Sequence, residues 1–287
     1  MKKLIKICWR VGTFSLACIL LMPVFCLAIT LDKNEIPVTC KASAVQALDA
    51  FFAGREAFEM GRVIEANNFF NKAILEDPQF AMVYLYKAYC SRSESEWKMN
   101  INLAEQNKKL VSEGERILIE MESTFSIKNG KERLALAKHL VELFPLSARA
   151  RLILAGEYQI RKEFTRFREL TRDAIQLDSK SPLGYRSMAA SYLLNEPRDF
   201  ELAQNCMEKY TELYPNEAIS HIALCDVYRA RVVWDLAIKA YDEAILLDPK
   251  NDISYAKRGY VNIYHGDFEN ARKDWEMVNK LYLIEFI

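Results

Sequence analysis

Histidine is scarce in this chain, and the chemistry that leans on it is correspondingly thin. Only three occur among 287 residues. His139 and His265 fall on a helix flank and in a turn, and His221 takes a place where Tyr84, Tyr185 and Tyr255 stand elsewhere. None has a second histidine at metal-ligating spacing, and neither His-Glu-x-x-His nor Gly-x-Ser-x-Gly occurs. Glycine and proline are few as well, at 9 and 8. No glycine cluster is present to cradle a phosphate, and no stretch alternates with the period of a strand. Acidic residues abound but scatter at solvent spacing, as in Glu208 and Glu212 or Asp242 and Glu243. The expectation is an all-helical protein that is not an enzyme and carries no cofactor and no metal.

A dominant charge is also lacking. The formal net charge is zero, and the first 28 residues hold Lys2, Lys3, Lys6 and Arg10 with no acid. The remainder carries 35 basic against 39 acidic residues, a net of −4. Nucleic-acid binding wants a basic face, so none is expected. Long apolar runs are confined to the N-terminus. Met1 to Lys6 forms a positive region, Val11 to Ala28 is uncharged, and Pro23 interrupts the run near its end. Cys26-Leu27-Ala28 places small residues where a signal peptidase reads, so residues 1–28 are expected to be a secretory signal cut after Ala28. The alternative is an uncleaved membrane anchor, because 18 uncharged residues lie at the lower edge of a span. Lipidation is disfavoured, since Phe25 rather than a small residue precedes Cys26.

Seven cysteines occur, three of them in the leader. Cys40, Cys90, Cys206 and Cys225 remain, without the paired spacing of a zinc site. Cys206 and Cys225 flank Pro215 on helices expected to be antiparallel, at nearly equal height, and an oxidising compartment would permit a bridge. Against it, a bridge needs Cα atoms within about 7 Å, whereas packed helix axes lie about 8–10 Å apart. The other reading is two buried thiols acting as small apolar residues.

What the chain has is a rhythm. Gly54, Gly61, Ala66, Phe70, Ala73 and Pro78 set a pattern that returns about every 34 residues. It reads Ala155, Lys162, Phe167, Thr171, Ala174, Ser179, then Cys225, Val232, Ala237, Tyr241, Ala244, Pro249, then Gly259, Gly266, Ala271, Trp275, Val278. Each unit divides into two helical patterns joined by a short turn. Small pairs such as Gly54 with Ala66 sit where paired helices would cross, and the aromatics fill the gap one turn on. Asp77-Pro78 and Asp248-Pro249 stop the second helix. Seven units follow, at about 47–80, 81–113, 114–147, 148–181, 182–217, 218–251 and 252–285. Residues 29–46 lead into the first helix. The unit at 182–217 carries two extra residues in its turn, and the two units from 81 to 147 are degenerate. Ser112-Glu113-Gly114-Glu115 within that stretch reads as a capping box.

These residues resemble the tetratricopeptide-repeat family over about 47–285, strongly at both ends and weakly in the middle. The resemblance implies a right-handed superhelical solenoid of antiparallel helix pairs, with the first helix of each unit lining a concave groove. Carried onto this chain, the groove holds Arg149, Leu152 and Gln159, then Arg186, Ala190 and Leu193, then Ile222, Asp226 and Arg229, and finally Tyr260 and Tyr264. Asp226 and Ala190 stand where the chaperone-tail binders of the family place an asparagine, which speaks against that ligand. The function implied is an exported scaffold, bacterial and periplasmic, that holds a protein or peptide partner in the groove. Loss of Arg186 or Tyr260 is expected to weaken the partner without lowering the melting temperature. The alternatives are an enzyme or accessory subunit of cell-envelope polymer processing, and an assembly factor anchored in the membrane by its N-terminus. A pocket of converging acids in the degenerate stretch would favour the enzyme.

Overall fold

Among the described residues the period of about 34 becomes seven consecutive pairs of antiparallel helices. The computed structural model describes residues 27–29, 34–41, 44–124 and 130–284. The pairs are α1 (Val45–Met60) with α2 (Val63–Glu76), α3 (Ala81–Tyr89) with α4 (Glu94–Asn107), and α5 (Glu113–Ser123) with α6 (Gly130–Leu143). They continue with α7 (Ala148–Ile160) and α8 (Phe164–Leu177), α9 (Pro182–Leu194) and α10 (Phe200–Leu213), α11 (Ala218–Ala230) and α12 (Trp234–Leu247), and α13 (Asp252–His265) and α14 (Phe268–Ile284). Each helix packs on its partner and on the next pair, so the chain is an all-α solenoid. The expected leader lies outside the described residues, apart from Leu27 and Ala28, which continue into Ile29. These form strand β1, antiparallel to β2 (Thr39–Lys41), with Ala28 opposite Cys40.

Three local devices repeat. At the turn inside four units, Gly61, Lys162, Val232 and Gly266 hold the same register position and all have left-handed φ, at 90°, 61°, 62° and 90°. The following amide bonds back five residues each time, as in Val233 N to Tyr228 O at 2.9 Å, which satisfies carbonyls at the helix end. Tyr84, Tyr185 and Tyr255 donate their hydroxyls to the carbonyl six residues earlier, at 2.8, 3.2 and 3.3 Å. His221 reaches the same carbonyl, that of Pro215, through Nε2 at 2.9 Å. Lastly, α2 and α12 end one residue before Asp77-Pro78 and Asp248-Pro249.

The small residues work differently from the sequence reading in one respect. A methyl group on Gly54 would lie 2.6 Å from the Phe70 ring, and one on Gly259 would lie 3.0 Å from Trp275 Nε1. The aromatic therefore sits directly over the small residue. Phe70 and its register mate Tyr241 are fully buried. At the longer turn of the fifth unit, buried Arg168 reaches across from α8 of the fourth and donates to Ser191 Oγ and to the carbonyls of Ser191 and Asn195, each at 2.9 Å. That closes the frayed end of α9.

Residues 34–41 do more than lead into α1. Ile36, Val38 and Cys40 are buried in the first core, with Ile36 against Gly114. Glu115 forms the expected capping box with Ser112. It is also fully buried, and accepts from Thr39 N at 2.8 Å and Thr39 Oγ1 at 2.6 Å.

The array also closes on itself. Met60, at the end of α1, belongs to a core made with Met188, Tyr192, Tyr210 and Leu224 of the fifth and sixth units. Arg186 on α9 donates to the Glu59 carbonyl at 2.7 Å, and Arg62 pairs with Glu217 at 2.5 Å.

Candidate functional site

Beside the contact that closes the array lies a cavity of about 390 Å³, walled by α1, α3, α5, α6, α7, α8 and α9 and open to solvent where Tyr89 and Ile160 are exposed. Its lining is mainly apolar. Phe58, Tyr86 and Tyr89 form one wall, with ring centroids 5.6–6.0 Å apart. Leu118 and Met121 come from α5, Leu152, Ile153 and Ile160 from α7, and Leu183 from α9.

Five charged residues also reach the cavity, and each has an internal partner. Arg149 pairs with Glu59, with Glu35 at 3.2 Å, and with the Tyr86 hydroxyl at 3.5 Å. Arg133 pairs with Glu157 at 2.8 Å and Glu122 at 3.6 Å, and Arg161 holds the second Glu157 oxygen at 2.9 Å. Burial alone would lower the Arg149 pKa, but Tyr86, Glu59 and Glu35 reverse this and hold it well above the ordinary value. Burial raises the Glu122 carboxyl, partly offset by Arg133. The pairs mean that a carboxylate here meets an arginine before it can meet a ligand.

The expected groove residues divide into several fates. Arg149, Leu152 and Gln159 line the cavity together. Arg186 is committed to the closure, with its guanidinium over Gly61. It joins α9 to α1, so its loss is now expected to cost stability as well. Ala190 is half-buried and Leu193 packs against the second core. Ile222 is a correction. It is 4% exposed, in a core with Cys225, Ala237 and Tyr241, because the α11–α12 contact turns it inward. Asp226 is bound by Lys257 Nζ at 2.6 Å, Tyr241 at 3.3 Å and Arg229 at 3.5 Å. Tyr260 and Tyr264 are exposed near the C-terminal end, the first edge-on to Trp275 at 5.0 Å and the second stacked on Trp234 at 5.8 Å.

The possible Cys206–Cys225 bridge is absent, since both are free thiols. Cys225 turns into its own helix pair and donates to the His221 carbonyl at 2.9 Å. Burial pushes Cys206 up to about 11 and Cys225 higher. Among the described residues no group of three or more His, Cys, Asp or Glu is placed to hold a metal, and no helix is long and apolar enough to cross a membrane.

Sequence reasoning missed the aromatic wall and Met121, Glu122 and Arg133; all of these except Phe58 come from the stretch where the repeat pattern is weakest. The available signal was the run Tyr84, Tyr86 and Tyr89, denser in tyrosine than a helix core needs.

No protein-family model matches the chain, and no curated protein matches it. Solved structures do. One described as "MamA RS-1 ArsTM double mutant" is 15% identical with a TM-score of 0.50, over 60% of this chain and 96% of that one. A second, "MamA 41-end from Desulfovibrio magneticus RS-1", is 15% identical with a TM-score of 0.50, over 59% and 94%. At this identity the likeness establishes the fold: a helical solenoid of the tetratricopeptide type.

Proposed function

We propose that the chain is a non-catalytic scaffold that holds a segment of a protein partner on the inner face of its closed array. The observation that carries this reading is the mainly apolar cavity between α1, α3, α7 and α9, which Leu152 and Gln159 help to line. Concave, mainly apolar sites of this size are the usual places for ligands. The leader-like run before Ala28 supports export, in a bacterial envelope, with either a cut signal or a retained anchor. An envelope enzyme or accessory subunit would need a carboxylate free to reach substrate. Glu59, Glu122 and Glu157 are instead each held by an arginine, which favours binding.

The test is affinity purification from envelope extract with the wild-type chain and with Leu152→Glu, which puts a charge into the cavity. The reading expects a protein that co-elutes with the wild-type chain and is lost with the variant, while the variant keeps its helix content and still melts cooperatively. Equal recovery by both would move the interface elsewhere. Turnover of an envelope polymer by the purified chain would replace the scaffold with an enzyme.

A further inference from the structure

Most glycines of this chain have a structural reason. Gly61 and Gly266 take left-handed turns, and a methyl group on Gly54, Gly114 or Gly184 would meet a neighbour at 2.6–2.8 Å. Gly259 is nearly as tight, at 3.0 Å from Trp275. Gly156 has none of these reasons. It lies inside α7 with ordinary helical backbone, and a Cβ built there meets nothing within 4 Å. Glycine inside a helix destabilises it relative to alanine, so the local cost is uncompensated by packing. The empty space beside Gly156 is the cavity itself. A side chain at this position would occupy the cavity and leave the core untouched.

The cavity wall adds a second constraint. Arg149 faces Glu59 and Glu35, and Arg133 faces Glu157 and Glu122. A charged group entering here would compete with these pairs, whose side chains are largely buried. An uncharged one would displace only water from Tyr86, Tyr89, Leu152 and Ile153.

We propose that Gly156 keeps open a specificity pocket for one large uncharged side chain of the partner segment, aromatic or long aliphatic. This rests on the scaffold reading above and adds the chemistry of the anchor. The charge balance selects against lysine, arginine, aspartate and glutamate as the inserted residue. The missing Cβ sets the upper size.

The experiment pans a displayed random-peptide library on the purified chain, then measures recovered peptides against wild type, Gly156→Ala and Gly156→Leu. The expected peptides share a large uncharged residue. Its replacement by alanine weakens binding about tenfold to a hundredfold, the range for burying one such side chain. Gly156→Leu should produce a loss of similar size at a melting temperature no lower than wild type. Gly156→Ala should raise the melting temperature and weaken binding less. Should Gly156→Leu melt lower, Leu152→Glu supplies the second block, and unchanged binding by it overturns the pocket. Peptides anchored by a charged residue, or bound equally by wild type and Gly156→Leu, overturn the proposal and leave the scaffold reading standing. No peptide binding at all, with laurate bound in a Gly156-dependent way, overturns both.

Discussion

Val232 shows how strongly the repeat dictates backbone over side chain. Its register mates Gly61 and Gly266 adopt the left-handed turn freely, whereas Val232 is β-branched at φ 62°. A left-handed residue with a Cβ costs about 1–2 kcal/mol, and glycine returns about 0.5–1 through its freer unfolded chain. Val232→Gly is therefore expected to stabilise the protein by about 0.5–1 kcal/mol, read from the urea midpoint at constant slope. Val232 is 63% exposed, so no packing is lost. Lys162→Gly should follow in the same direction. Glu122 offers a test of sign at the same scale. Burial raises its carboxyl pKa above the unfolded value, so the folded state binds the proton more tightly. Stability from this group is then fullest below the ordinary carboxyl range and is lost as pH rises through the raised value. Glu122→Gln should be more stable than wild type at neutral pH, with the gap closing on acidification. A less stable variant at neutral pH would show that the Arg133 pair outweighs burial.

Among elements, the join between β2 and α5 organises the N-terminal half. Its key is Glu115, which the sequence marks as a capping residue through Ser112-x-x-Glu115 and nothing more. Its oxygens accept from Thr39 twice and from Ser112 N at 2.7 Å. Glu115→Ala leaves three donors without their acceptor, each worth about 1–3 kcal/mol when buried. A loss of about 3 kcal/mol is expected after water reaches some of them, with faster amide exchange at Thr39. A loss under about 1 kcal/mol would mean that Ile36 and Val38 hold the segment by burial alone. This element also shows where sequence reading stops. The helix pairs were legible because each contact is made between neighbouring units and so recurs with the period. His221 was placed correctly beside three tyrosines for the same reason. Contacts made once leave no such trace: Thr39 to Glu115, Arg149 to Glu35, and the cavity wall drawn from the first five units. The degenerate stretch departs from the repeat pattern where its residues face the cavity.

The whole molecule differs from an open array because its first unit meets its fifth and sixth. The contact has an apolar part and a charged part, and physics ranks them. Arg62 and Glu217 are each about one-third exposed, and pairs of that kind contribute about 0–1 kcal/mol. Met60 is 2% exposed among Met188, Tyr192 and Tyr210, with its sulfur 3.6 Å from the Tyr210 hydroxyl. Truncating a buried methionine costs about 2–5 kcal/mol. Met60→Ala should therefore destabilise the protein several times more than Arg62→Ala. In a solenoid, however, the loss need not be shared evenly, since each unit leans only on its contacts. Opening the closure should speed amide exchange at the end of α1 and along α9, and leave α12 to α14 at wild-type protection. Because Glu59, Leu183 and Ser187 line the cavity beside this contact, Met60→Ala should also weaken any ligand held there. Uniform loss of protection through α14 would mean that the ring unfolds as one unit. Unchanged exchange at α9 would mean that Arg186 on Glu59 closes the array without help from the methionine.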